Sequence, residues 1–110
     1  MDKIMFLVQG SADVPYEVTF AKKNNNLSAH CTCPAGENSL YCKHRINIMH
    51  GIADGVVSPN KNDVGLIKTW LSGTDVEAAL REVMEKEELL DKAKQALSFA
   101  KKKLAKAIRD

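Results

Sequence analysis

Three cysteines and a histidine stand in two pairs, Cys31-x-Cys33 and Cys42-x-His44, separated by eight residues. No other feature restricts the fold of this chain so strongly. Three thiols cannot all pair within one chain, so a disulfide framework does not account for them. The opening Met1-Asp2-Lys3-Ile4 has too short an apolar stretch for a secretory signal. The expectation is a cytoplasmic, intracellular chain whose thiols stay reduced. Reduced clustered thiols beside an imidazole point to a metal. Zinc takes four such donors at tetrahedral corners, with sulfur at about 2.3 Å and nitrogen at about 2.0–2.1 Å.

The flanking sequence suits one ion joining two kinds of element. Ile4 to Val8 is a short apolar run, and Tyr16, Val18 and Phe20 alternate with Glu17 and Thr19, the period of a half-buried strand. Lys22 to Asn26 reads as a polar turn, looser than a two-residue hairpin turn. Leu27, Ala29, Cys31 and Cys33 then share one face of a returning strand. Both thiols aim at one ion if that strand bends, and Pro34 helps to end it. Pro34 to Ser39 reads as a loop rich in breakers. From Tyr41 to about Ala53 the period becomes helical, with Ile46, Ile48, Met49, Ile52 and Ala53 on one side. Positions i and i+2 do not share a helix face. Cys42 is therefore expected at or before the helix start, where the helix dipole favours its thiolate, with His44 in the first turn.

These residues resemble the SWIM-type zinc finger, whose pattern is Cys-x-Cys, a variable gap, then Cys-x-His. The matching segments are Cys31-Thr32-Cys33-Pro34 and Cys42-Lys43-His44-Arg45, and the resemblance extends over roughly residues 10–53. It implies a ββα arrangement around one structural zinc ion per chain, held by Cys31, Cys33, Cys42 and His44. It also implies a role in binding DNA or other proteins. The expected fold class is α+β: a small ββα zinc-stabilised finger followed by a short helix and a long C-terminal helix. The expected division is a finger at residues 1–53, a connector at 54–63 and a helical tail at 64–110.

Other readings of the same residues compete. Unliganded cysteines pack as small hydrophobes. A dithiol redox site is a second reading, although the usual redox spacing is Cys-x-x-Cys. A catalytic zinc needs an open coordination position, which four protein ligands close. No general base stands out near the pairs. Glu37 is the nearest carboxylate in sequence and is expected to be solvated. His30 should point away from Cys31 in a strand, and His50 falls on the polar helix face. An enzyme and a small-molecule substrate are therefore not expected.

Beyond the connector, Val64, Leu66, Ile67, Trp70 and Leu71 give a short helix ending near Gly73, with Trp70 as a core plug. Thr74 and Glu77 form a capping box. No Gly or Pro follows from Asp75 to Asp110. Val83, Lys86, Leu90, Ala93, Leu97, Ala100, Leu104 and Ala107 alternate in steps of three and four, a coiled-coil seam. Residues 75–90 hold six acids and two bases, and residues 91–110 seven bases and two acids. That asymmetry favours antiparallel pairing with a second copy or with a partner protein.

Nucleic acid, DNA or RNA, is the other candidate partner, with Lys22, Lys23, Lys43 and Arg45 as contacts near the metal. The charge balance is weak support. The chain carries a formal charge of +2, and residues 1–74 hold seven bases against six acids. There is no aromatic platform for bases. No run approaches the length of a membrane span, so no membrane partner is expected.

Overall fold

In the computed structural model, described over residues 2–109, the first half is a three-stranded antiparallel meander. Strands β1 (Asp2–Val8), β2 (Tyr16–Lys23) and β3 (Asn26–Cys31) lie in that spatial order. Four α-helices follow, α1 (Pro34–Glu37), α2 (Lys43–Met49), α3 (Val64–Leu71) and α4 (Asp75–Ala107), with a 3-10 turn at Lys61–Asp63 leading into α3. The chain divides into two compact units, residues 1–77 and 78–110. The α+β class and its order of elements, a small sheet, short helices and a long C-terminal helix, are those expected.

Register explains the core. Phe6 pairs with Val18 and Val18 with Cys31, so these three side chains share one sheet face. All three are fully buried, as is Phe20, whose ring meets that of Phe6 edge-on at 6.2 Å. The core of unit 1 is therefore continuous with the first cysteine. Ile48 and Met49 of α2, and Val64, Ile67 and Leu71 of α3, complete it. The latter three recur at helical spacing and face α2, against which α3 packs. Trp70 is half-buried, and its carbonyl accepts from Lys22 Nζ at 2.7 Å.

Four local expectations are corrected. The β2–β3 connection is a tight two-residue turn, because Lys23 pairs directly with Asn26. Asn24 at φ 55° supplies the left-handed residue that such a turn demands. The Pro34–Ser39 segment is not all loop. Pro34 opens a one-turn helix, a position where its missing N–H costs nothing. Helix α2 stops at Met49 rather than near Ala53. Gly51, at φ 80°, donates to Ile48 O at 2.9 Å, and Ile52 N–H donates to Asn47 O at 2.9 Å. That pair of bonds is a Schellman cap, and it leaves Ile52 outside the helix. At the start of α4, Glu77 N–H donates to Thr74 Oγ1 at 3.2 Å, as a capping box requires. The Glu77 carboxylate instead accepts from Gly73 N–H at 3.1 Å, because Thr74 N–H is already given to Leu71 O.

Residues 54–63 are laid along the outer edge of β1. Gln9 N–H donates to Gly55 O and Val57 N–H to Leu7 O, each at 2.8 Å. Leu7 N–H donates to Ser58 Oγ at 3.1 Å, and Asn60 Nδ2 donates to Met5 O at 2.8 Å. An uncovered strand edge is a template for foreign pairing, and this strap occupies it. It also places α3 beside α2. Replacing Phe20 by Ala should destabilise unit 1 by about 3–5 kcal/mol, since the ring is fully buried and its space cannot close. Denaturant unfolding of the metal-loaded chain, followed by Trp70 fluorescence, measures the loss.

Candidate metal centre

Each of the four expected donors is delivered by a different backbone device. Cys31 ends β3 and is held in the core by its pairing with Val18. Thr32 then fastens the chain to β2: its N–H donates to Glu17 O at 3.1 Å, and its hydroxyl accepts from Glu17 N–H at 2.9 Å. Cys33 lies beyond the strand, as the N-cap of α1, with Sγ accepting from Gly36 N–H at 3.3 Å. The bend between the two thiols is thus made by the turn that Pro34 begins. Cys42 is the N-cap of α2 in extended conformation, and His44 is the second residue of that helix.

The donor atoms converge. Sγ of Cys33 and Cys42 are 3.4 Å apart, and Nδ1 of His44 lies 3.6 Å from Cys42 Sγ and 3.8 Å from Cys31 Sγ. All four donor atoms fall within 4.8 Å of one another. Tetrahedral zinc with these ligands would have S···S edges of about 3.8 Å and S···N edges of about 3.5 Å. The donor set therefore fits such an ion. The thiols are free, and the Cys33–Cys42 separation far exceeds the bond of about 2.05 Å in a disulfide. All three cysteines are buried and His44 is half-buried. Among the described residues, no other His, Cys, Asp or Glu joins the group. Glu37 faces outward toward His30, at 3.5 Å, and both are largely exposed. His50 caps the C-terminus of α2.

Electrostatics acts differently on the individual donors. Burial pushes the Cys31 thiol up to about 12, with the neighbouring Cys33 and Cys42 sulfurs adding to the rise. Burial acts the same way on Cys42, but it is outweighed. The backbone N–H of Arg45, the Cys33 and Cys31 thiols and the backbone N–H of His44 together lower that thiol. The two amides belong to the start of α2, although neither closes a cap hydrogen bond to the sulfur. Burial, then the Lys43 charge, lowers His44, which keeps its imidazole neutral and free to donate a lone pair.

Three residues of the site were not read from the sequence. Gly36 touches the backbone of Cys31 so closely that a Cβ there would lie 2.2 Å from the Cys31 carbonyl oxygen. Gly10 faces the Tyr16 ring, at 2.5 Å from a Cβ position, with His44 Nε2 at 3.3 Å. The Tyr16 ring packs on the His44 imidazole at 5.0 Å between centroids. A glycine three residues after a cysteine, behind a proline, is a signal for the first. Nothing local marks the other two, which depend on β2 passing behind α2.

The four basic residues occupy two places. Lys22 and Lys23 end β2 at the hairpin turn, six and seven residues from Tyr16 at the metal-site end, or about 20 Å along a strand. Lys22 is bonded to Trp70 O. Arg45 donates to Ala29 O at 3.2 Å and also to Leu40 O, tying α2 to β3 and to the chain after α1. Lys23 and Lys43 are exposed.

Residues 6–47 match the SWIM zinc finger family. The match spans β1 to the middle of α2 and contains all four donors. Domains of this family are non-catalytic structural or adaptor modules. No curated protein and no solved structure matched the chain. No helix among the described residues is long and apolar enough to cross a membrane.

Two outcomes follow from this geometry. Gly36→Ala should abolish metal retention, because the new methyl group displaces the Cys31 backbone, whereas Gly65→Ala in α3, which meets no neighbour and has an ordinary backbone conformation, should keep it. Metal content after gel filtration separates the two variants. Acid should also strip the metal. The folded-state proton affinity of His44 lies below its usual value of 6.5, so its contribution to stability is present above 6.5 and is lost as pH falls through the lowered value. Metal binding must in addition expel thiol protons, which weakens affinity in the same direction. Titration of the loaded chain from pH 7.5 to 5 should release metal and unfold residues 6–47 together, as read by metal-indicator absorbance and circular dichroism.

Proposed function

We propose that this chain is a zinc-dependent binding module. Cys31, Cys33, Cys42 and His44 hold one structural zinc, and the folded finger serves macromolecular interaction rather than catalysis. The carrying observation is the convergence of three buried thiols and one neutral imidazole with no fifth donor among the described residues. When bound, the ion supplies charge compensation for thiolates that burial otherwise disfavours. It also cross-links the sheet to α2. The protein's own residues do the rest: Thr32 fixes the bend, Gly36 permits it, and Arg45 joins α2 to the sheet. On this reading residues 1–53 are the finger and 54–63 its connector, α3 packs on the finger's α2, and the rest of residues 64–110 extends as a helical tail.

A protein partner is the favoured reading over nucleic acid. Two of the four basic residues near the finger, Lys22 and Arg45, already bond to backbone carbonyls, and the sheet end and helix start carry one exposed lysine each. Phosphate gripping gains from several free cations on one face. The three free thiols in one buried cluster support a reducing, intracellular setting.

Native mass spectrometry should find one zinc per chain. Structural zinc in finger peptides contributes on the order of 10 kcal/mol of apparent folding free energy. Cys31→Ser, Cys33→Ser, Cys42→Ser or His44→Ala, or chelation, should therefore unfold residues 6–47 while α4 keeps most of its helical signal. Unchanged near-ultraviolet dichroism after metal removal would overturn the zinc reading. Salt-sensitive retardation of labelled DNA or RNA at about 50 mM salt would favour nucleic acid over protein as partner.

A further inference from the structure

Helix α4 has a face that nothing in its own unit covers. Within residues 78–110, Leu90 and Leu97 are each 55% exposed and Leu104 is 63% exposed. A monomer rarely leaves an apolar stripe of this length in water. The alanines that alternate with these leucines matter as much as the leucines. Ala93 and Ala100 leave shallow steps into which a large side chain of an opposing helix fits.

We propose that residues 82–103 pair with the same residues of a second copy, antiparallel, about a twofold axis lying between Asp91 and Lys92. In that register each layer of the seam sets a large residue against a small or flexible one. Leu90 meets Ala93 of the second copy, Val83 meets Ala100, and Lys86 lies along Leu97. The Lys86 stem is apolar enough to cover a leucine while its ammonium reaches water. The residues flanking the seam agree with the same register. Glu82 comes beside Lys103 of the second copy, and Glu87 beside Lys94. Lys103 rests over the exposed Phe99 ring at 5.9 Å, a contact that leaves its ammonium hydrogens available. An ion pair along this helix, Lys92 with Glu88 at 3.3 Å, lies off the seam.

Charge decides the orientation. Residues 75–90 carry a net charge of −4 and residues 91–110 a net charge of +5. Antiparallel pairing brings unlike halves together. Parallel pairing would stack Lys86 on Lys86 in the seam and set Glu82 beside Glu87, and like charges at such positions destabilise a coiled coil. This inference does not rest on the zinc reading, since none of the seam residues touches the metal centre.

Sedimentation equilibrium of the full, zinc-loaded chain across a concentration series tests it, with metal content measured on the same samples. The expected result is reversible dimerisation to twice the 12.1 kDa chain mass. Leu97→Asp should give a monomer with unchanged helicity and zinc content, because Leu97 supports nothing in its own chain. Glu82→Lys should weaken the dimer on the order of tenfold, as two symmetry-related pairs turn repulsive. Glu82→Lys combined with Lys103→Glu should restore it. A chain that stays monomeric at all concentrations, or a dimer indifferent to Leu97→Asp, overturns the proposal. Tightening by Glu82→Lys would also overturn it, because that is the outcome of parallel pairing. Loss of zinc without loss of the dimer would fail the finger reading alone.

Discussion

Three thiols and an imidazole brought out of water onto one point cannot stand as ions without a cation between them. Burial holds the Cys31 thiol up to about 12, and the Cys33 and Cys42 sulfurs add to that rise. A divalent ion reverses each of these effects at once. The sheet, the turn at Pro34 and the first turn of α2 are all arranged around that reversal. The hydrophobic contribution alone is modest, since a sheet of three short strands and two short helices bury few large side chains. A metal link is a common means of stabilising a domain so small.

Support for the donors is distributed so that each backbone device also serves the core. Val18 pairs with Cys31 and packs against Phe6, so the residue that positions the first thiol is also part of the apolar centre. Thr32 exchanges two hydrogen bonds with Glu17, its partner in the β2–β3 register, and its hydroxyl accepts the bond that its carbonyl would take in a continuing strand. Arg45 joins the helix carrying His44 to the strand carrying Cys31. The strap of residues 54–63 closes the β1 edge and returns the chain to pack α3 on α2.

The long helix obeys different physics. Its first turn is capped by Thr74 and Glu77, and its acidic and basic halves follow the helix dipole. Leu80 is buried, but Leu89, Leu90, Leu97 and Leu104 further along are all exposed. Amphipathic period and exposure leave one of its faces open, whereas the donors of the finger converge on a point that could hold a metal ion.

Much of this was legible in the residues. The spacing of Cys31, Cys33, Cys42 and His44 fixed the donor chemistry, because few roles demand those side chains in that pattern. Alternation from Tyr16 to Phe20 marked a strand, and the absence of Gly and Pro after Asp75 marked the long helix. The end of α2 was not legible, because Ile52 and Ala53 continue the helical pattern while Gly51 takes a left-handed conformation that closes the helix first. The tight turn at Asn24 was hidden among three equivalent asparagines. The need for glycine at position 10 was also hidden, since it arises only when the Tyr16 ring and His44 meet beside it. Local sequence determined which atoms bind and which segments are regular, since both follow from side-chain chemistry and period. Tertiary structure alone decided which backbones touch and which basic groups are already bonded, since those depend on contacts between residues far apart in the chain.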